Sequence, residues 1–166
     1  GIDTFKEMLT ELYGRRRDLY TIIVGHLEGK SIIDGQFLGK ETGWVSDQDM
    51  LRSYFAAADL YISPTLADNS PCVVLEAMAC GTVPIAYSVG GIPEQILNGT
   101  TGVLVPTGNK RELVEAVDSM LNNPDKRAAM EHEAVERAKR FYSIDHIVDM
   151  HLPVYGDAMN QKVPGR

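Results

Sequence analysis

Apolar residues recur along the chain with two alternating periods. Ile2, Phe5, Met8, Leu9 and Leu12 follow helical spacing, so the pattern opens on an amphipathic helix. Leu19–Gly25 (LYTIIVG) is a β-rich apolar run closed by glycine, and Gln36–Gly39 (QFLG) predicts a shorter strand. Ser46, followed by Asp47, Gln48 and Asp49, reads as the N-cap of a helix continuing to about Ala58. Asp59–Ser63 (DLYIS) is the next strand, ended by Pro64 and a polar loop. Pro71 then stands at the first position of a helix through Cys80, which Gly81 ends. Val83–Tyr87 reads as a strand, Gly90–Glu94 as a turn into a short helix, and Gly102–Pro106 as a last strand. Asn109 caps a helix carrying Leu113, Val114, Val117, Met120 and Leu121. Asn122–Pro124 breaks it, a charged helix runs to about Tyr142, and Ser143 caps one more. From Pro153 the chain reads as a tail.

Strands alternating with helices at this spacing predict an α/β fold, a Rossmann-like doubly wound parallel sheet with helices on both faces. The expected organisation is one domain over residues 1–150 and a tail over 151–166. Such a domain normally opens with a strand, so a first strand is expected upstream of Gly1.

Composition narrows the class of partner. The chain has 166 residues, 44% hydrophobic and 23% charged, with a net charge of -7. That acidity argues against nucleic acid as a ligand. No apolar run approaches the ~20 residues a membrane helix needs, and no signal peptide is visible, so the cytoplasm is the expected compartment. Cys72 and Cys80 are expected to remain free thiols. On one helix they would be ~12 Å apart in rise, beyond disulfide reach. His26, His132, His146 and His151 lack metal-ligand spacing and read as surface histidines; no metal or other cofactor is expected. Asn98–Gly99–Thr100 matches a glycosylation sequon but reads as a turn.

Open parallel sheets bind ligands outside the carboxyl ends of their strands. Loops Pro64–Ser70, Ser88–Gly91 and His26–Ser31 follow strands and meet that rule. Arg15, Arg16 and Arg17 precede one, and read as a solvated helix end at the opposite edge. In PCVVLEAMAC the only charge is Glu76, on a helix apolar nearly all round and therefore expected to be buried. A buried carboxylate needs partners. The pattern alone leaves open whether these are hydroxyls such as a ribose diol, or a backbone amide or basic side chain. Asn69–Cys72 forms the N-terminus of that helix, where free amides and the helix dipole favour an anion. Gly90–Gly91 offers a second amide-rich turn. Together these features suggest a nucleoside diphosphate.

The stretch ADLYISPTLADNSPCVVLEAMACGTVPIAYSVGGIPE, followed by NGTTGVLVP, closely resembles the C-terminal donor-binding domain of family-four retaining glycosyltransferases, which have the two-domain GT-B fold. The resemblance runs from about Ile2 to Phe141 and is dense from Gly43 to Pro106. It implies transfer of a glycosyl group from a UDP- or GDP-sugar, without a metal ion, to a saccharide or lipid-linked acceptor. An N-terminal domain would hold the acceptor, carry any peripheral membrane contact, and be required for activity. In that family two acidic residues stand eight positions apart, as Asp68 and Glu76 do here. The resemblance implies that Glu76 binds the ribose hydroxyls and that Asp68 contacts the transferred sugar and stabilises its developing charge. Asn69, Ser70, Pro71, Cys72 and Val73 would hold the diphosphate and sugar, and Val45 in GWVSD would lie near the base. Gly25, Gly90 and Gly91 complete the expected donor-binding set. The sequence departs from the family at three places. Asp68 stands where glutamate is usual, the usual glycine-rich stretch reads DNSPCVV, and the proline of Thr82–Ala86 is shifted by one. The family's diphosphate-gripping Arg and Lys lie just before a glycine that Gly1 matches. Two further readings remain at this point: a hydrolase with Asp68 and Glu76 as its carboxylate pair, and a non-catalytic nucleotide-binding or interaction module.

Overall fold

The computed structural model describes residues 1–25, 31–33 and 35–160. Elements follow in the order α1 (Ile2–Arg15), β1 (Thr21–Ile23), β2 (Gly39–Glu41), α2 (Gln48–Ala57), β3 (Leu60–Ser63), α3 (Cys72–Ala79) and β4 (Val83–Tyr87). Then come α4 (Ile92–Gln95), β5 (Val103–Val105), α5 (Lys110–Leu121), α6 (Pro124–Tyr142) and α7 (Ile144–Asn160).

All ladders between these strands are parallel. β1 pairs with β2 in the register Thr21↔Gly39 to Ile23↔Glu41. β4 lies between β3 and β5, matching Ile85 to both Ile62 and Val103. The expected parallel α/β architecture is present, but as a two-stranded and a three-stranded group rather than one continuous sheet. The difference shows in burial. Every residue of β4 is buried, whereas Thr21–Ile23 of β1 and Leu60–Ile62 of β3 are only half-buried.

Side-chain alternation along β4 builds a core on each face. Val83, Ile85 and Tyr87 point into one cluster with Met8, Leu9 and Leu12 of α1 and Leu113, Val114 and Val117 of α5. Ala86 points the other way, into Val74 and Met78 of α3, Ile92, Ile96, and Ala134 and Ala138 of α6. The small Ala86, Ala134 and Ala138 let the helices of this second layer approach closely. Charge pairing ties α1 to α5. Arg15 bridges Glu11 and Glu115, Arg16 reaches Asp118, and Lys110 reaches Glu7. Arg15 and Arg16 are therefore engaged rather than freely solvated.

Several boundaries differ from the sequence reading. β1 omits Leu19, Tyr20, Val24 and Gly25, because its ladder is only as long as β2. β2 lies later than Gln36–Gly39. Phe37 is instead buried against the Tyr13 ring at 5.0 Å, and Leu38 gives its carbonyl to Thr21 N and Tyr13 Oη. The N-cap of α2 is Asp47, not Ser46, since its Oδ1 accepts from both Asp49 N and Met50 N. Pro71 is the N-cap of α3 rather than its first residue. α7 continues through Pro153 to Asn160, further than the sequence reading carried this helix. Proline removes one backbone hydrogen bond there, and the turns on either side keep theirs. Ser143 does cap that helix, its Oγ accepting from His146 N at 3.3 Å.

Candidate functional site

The loop after β3 carries the densest set of expected ligand-contacting residues. Asp68 Oδ1 accepts from Ser70 N at 3.1 Å, a local turn that fixes the carboxylate over its own loop. Thr65 Oγ1 donates to Ala67 O at 3.1 Å. Pro71 then opens α3 with an extended backbone and no side-chain cap. Val74 N donates to Pro71 O at 3.2 Å, whereas the amides of Cys72 and Val73 at the start of the helix have no acceptor within it, and proline has no side-chain acceptor to cap them. Their partial positive charge faces outward beside the exposed Asn69, Ser70, Cys72 and Val73, whereas Pro71 is buried.

A second loop holds the first in place. Gly90 and Gly91 pack so tightly against the carbonyls of Asp68 and Asn69 that a Cβ at either position would collide with backbone oxygen. Gly90 also has φ +55, a conformation glycine adopts without steric penalty. At the expected second amide-rich turn the backbone doubles back on itself. Ile92 N donates to Val89 O at 3.2 Å, and the glycines serve close approach between two loops.

Gln95 locks the pair from beneath, at 2% exposure. Its Nε2 donates to Ser70 Oγ at 3.1 Å and lies 3.3 Å from Pro71 O. The backbone around it is clamped in turn by α6. Arg137 Nε donates to Gln95 O, and Glu94 O accepts from Arg137 Nη2 and Tyr142 Oη. Gln95 and its clamp did not emerge from the sequence pattern. The only available signal was an uncharged polar residue inside the apolar frame Ile92–Ile96.

Glu76 requires a correction, for it is exposed, not buried. The buried side of α3 is Val74, Ala77 and Met78, while Cys72, Val73 and Glu76 line the opposite, open side. An apolar stripe at Cys72–Val73 made the helix look enclosed on all sides. Glu76 has no side-chain hydrogen bond or ion pair among the described residues. Tyr61 of β3 senses both acids. Burial pushes its phenol pKa up, a hydrogen bond with Ser63 opposes this, and the charges of Glu76 and Asp68 add to the rise.

The remaining candidates lie on β1 and β2. Gly25 donates its N–H to Gly43 O at 3.0 Å just beyond the β1–β2 ladder, and Val45 is half-buried shortly before α2. The loop from His26 to Lys30 lies outside the described residues. His132 and His151 are exposed, whereas His146 is half-buried and edge-on to Phe141. The cysteines are free thiols as expected, Cys72 exposed and Cys80 half-buried. Asn98–Thr100 forms a turn whose Asn98 Oδ1 accepts from Leu104 N. An open hollow of about 680 Å³ lies elsewhere, lined by Ala57, Asp59, Gly81, Glu131 and His132 among others. It sits at the amino ends of β3 and β4, the wrong edge for a ligand of a parallel sheet.

A parallel α/β domain with its loops drawn together beyond β3 and β4 defines a Rossmann-like class. Comparison with known proteins makes it specific. Residues 1–137 match the model of Glycosyl transferases group 1, and the chain belongs to that family. It is 33% identical over 121 residues to an alpha-maltose-1-phosphate synthase of Mycobacterium tuberculosis, covering 68% of this chain and 31% of that protein. Among solved structures, the C-terminal domain of a glycosyl transferase group 1 family protein from Francisella tularensis superposes with a TM-score of 0.76 at 20% identity. It covers 87% of this chain and 80% of that one. The Anabaena protein HepE, solved with UDP, superposes with a TM-score of 0.77 at 22% identity, covering 91% of this chain and 44% of that one. The fold is that of the C-terminal domain of GT-B glycosyltransferases, and the chain spans about a third of the length of the curated relative. Among the described residues no helix is long and apolar enough to cross a membrane.

Proposed function

We propose that this chain is the donor domain of a retaining glycosyltransferase, binding a nucleotide sugar for transfer to an acceptor held by a preceding domain. The observation that carries this reading is the uncapped N-terminus of α3, with the unpaired carboxylate of Glu76 one turn further along the same open face. An amide cluster that accepts an anion and a carboxylate that accepts from a hydroxyl pair suit the diphosphate and the ribose of one ligand.

In this reading Glu76 takes the ribose hydroxyls, and Cys72 and Val73 present amides to the diphosphate. Asn69 and Ser70 face the phosphate and sugar, and Gly90 and Gly91 set the height of that loop. Val45 and Gly25 border the base. Asp68 uses Oδ1 to hold Ser70 N and leaves Oδ2 for the sugar, whose positive character grows as the glycosidic bond to phosphate lengthens. A carboxylate placed there is worth most in the transition state. HepE was solved with UDP and with UDP-glucose, which makes a uridine nucleotide the first ligand to test, with GDP-sugars the alternative.

Calorimetry of the chain with UDP, GDP and ADP tests the reading. Weak binding of one of them, without sugar transfer by the chain alone, is the expected result. No heat from any of the three at millimolar concentration would count against a nucleotide site here.

A further inference from the structure

Position 95 carries a polar side chain where packing favours an apolar one. Gln95 lies between Ile92 and Ile96, each no more than 1% exposed, and its own Oε1 is buried without a hydrogen-bond partner. A buried acceptor with no donor is destabilising. Were packing the only role of this side chain, an apolar residue of similar length would be the more stable occupant.

The orientation of the amide follows from its neighbours. Pro71 O can only accept, so the end of Gln95 facing it must be the NH2 group. That group's other hydrogen points to Ser70 Oγ, which therefore accepts. A hydroxyl that accepts from a fixed donor directs its own hydrogen elsewhere. Ser70 is exposed, and the open side of its loop adjoins the free amides of α3.

We propose that Gln95 is a positioning residue that makes the Ser70 hydroxyl a committed donor toward the anionic oxygens of the bound diphosphate. This rests on the donor-domain reading above. Gln95 does not touch the ligand. It acts through Ser70, and through Pro71 it fixes where the amides of α3 begin. The clamp of Arg137 and Tyr142 on Glu94 and Gln95 carries the same constraint back to α6.

The test separates positioning from packing because the two move in opposite directions. Gln95→Met removes the orphaned acceptor and leaves Pro71 O still bonded by Val74 N. This variant should melt at or above the parent temperature yet bind UDP about tenfold more weakly, the loss of roughly one hydrogen bond to a charged group. Ser70→Ala added to it should weaken binding no further, as one effect acts through the other. Gln95→Glu supplies a second variant. Its carboxylate accepts from Ser70 and turns the lone pairs outward, so its UDP affinity should fall below that of Gln95→Met. Parent-like UDP affinity in either variant, or fully additive losses with Ser70→Ala, overturns the proposal. Should the parent bind no nucleoside diphosphate, the donor-domain reading falls first. Hydrogen exchange then decides the brace alone: faster exchange at Ser70 N and Val74 N, which are bonded to Asp68 Oδ1 and Pro71 O, in Gln95→Met, with β4 unchanged, supports it, and unchanged protection overturns it.

Discussion

In the proposed reading, the two acids of the site would be distinguished by what changes during transfer. The ribose keeps its charge and shape throughout, so Glu76 would bind ground state and transition state alike. Glu76→Gln in the longer enzyme should cost about 1.5–3 kcal/mol, expressed mainly as a higher KM for the donor. Asp68→Asn should instead lower kcat with little change in donor KM, because the sugar gains charge only as it is transferred. Steady-state kinetics with saturating acceptor, on variants that melt like the parent, would expose a reversed assignment directly. The spacing of these acids was legible in the sequence, and so was their place at a strand's carboxyl end. The exposure of Glu76 was not. Burial depends on which side of α3 meets Ala86, Ala134 and Ala138, contacts far apart in the chain. The same limit hid Gln95, whose partners lie 24 and 25 residues away.

At the scale of elements, strong local signals held and weak ones drifted. Val83–Tyr87 was read to the residue because five consecutive buried positions leave no ambiguity. The edge strands moved, since Leu19–Gly25 and Gln36–Gly39 contain side chains that pack outside any ladder, as Phe37 does against Tyr13. α7 was truncated in the reading because Pro153 is a strong local breaker and its neighbours give no tertiary counterweight; none of its residues is buried. Within the site, Gly91 offers a clean test of element packing. Its φ of -88 suits any residue, so Gly91→Ala isolates the collision with Asn69 O from backbone preference. The added methyl should cost about 1–3 kcal/mol, as overpacking does. It should also weaken UDP binding by moving the Asp68–Ser70 loop. A thermal melt at the parent temperature would show that the loops are not held this closely.

At the scale of the molecule, the parallel α/β class was legible from alternating periods alone, and the family from one ordered block of motifs. Continuity of the sheet was not legible, because ladder partners are set by three-dimensional neighbours. β1 and β3 are half-buried, and each has one ladder among the described residues, whereas β4 is fully buried between two. Amides of Thr21–Ile23 and Leu60–Ser63 that do not point into β2 or β4 should exchange quickly in this chain. The amides of β4, which lies between two ladders, should exchange far more slowly. Equal protection in all three strands would show that β1 and β3 are not edges.

The contact of Gly90 and Gly91 with the carbonyls of Asp68 and Asn69 also bears on how such a site can diversify. Two loops touching through bare main chain cannot lengthen or shorten one at a time, since an insertion in either would lift it off the other. In the proposed donor-domain reading, new sugar preferences would then arise by exchanging side chains at Asn69 and Ser70 on an unchanged frame. A library aimed at altered donors should therefore randomise those two positions and hold Asp68 and both glycines fixed.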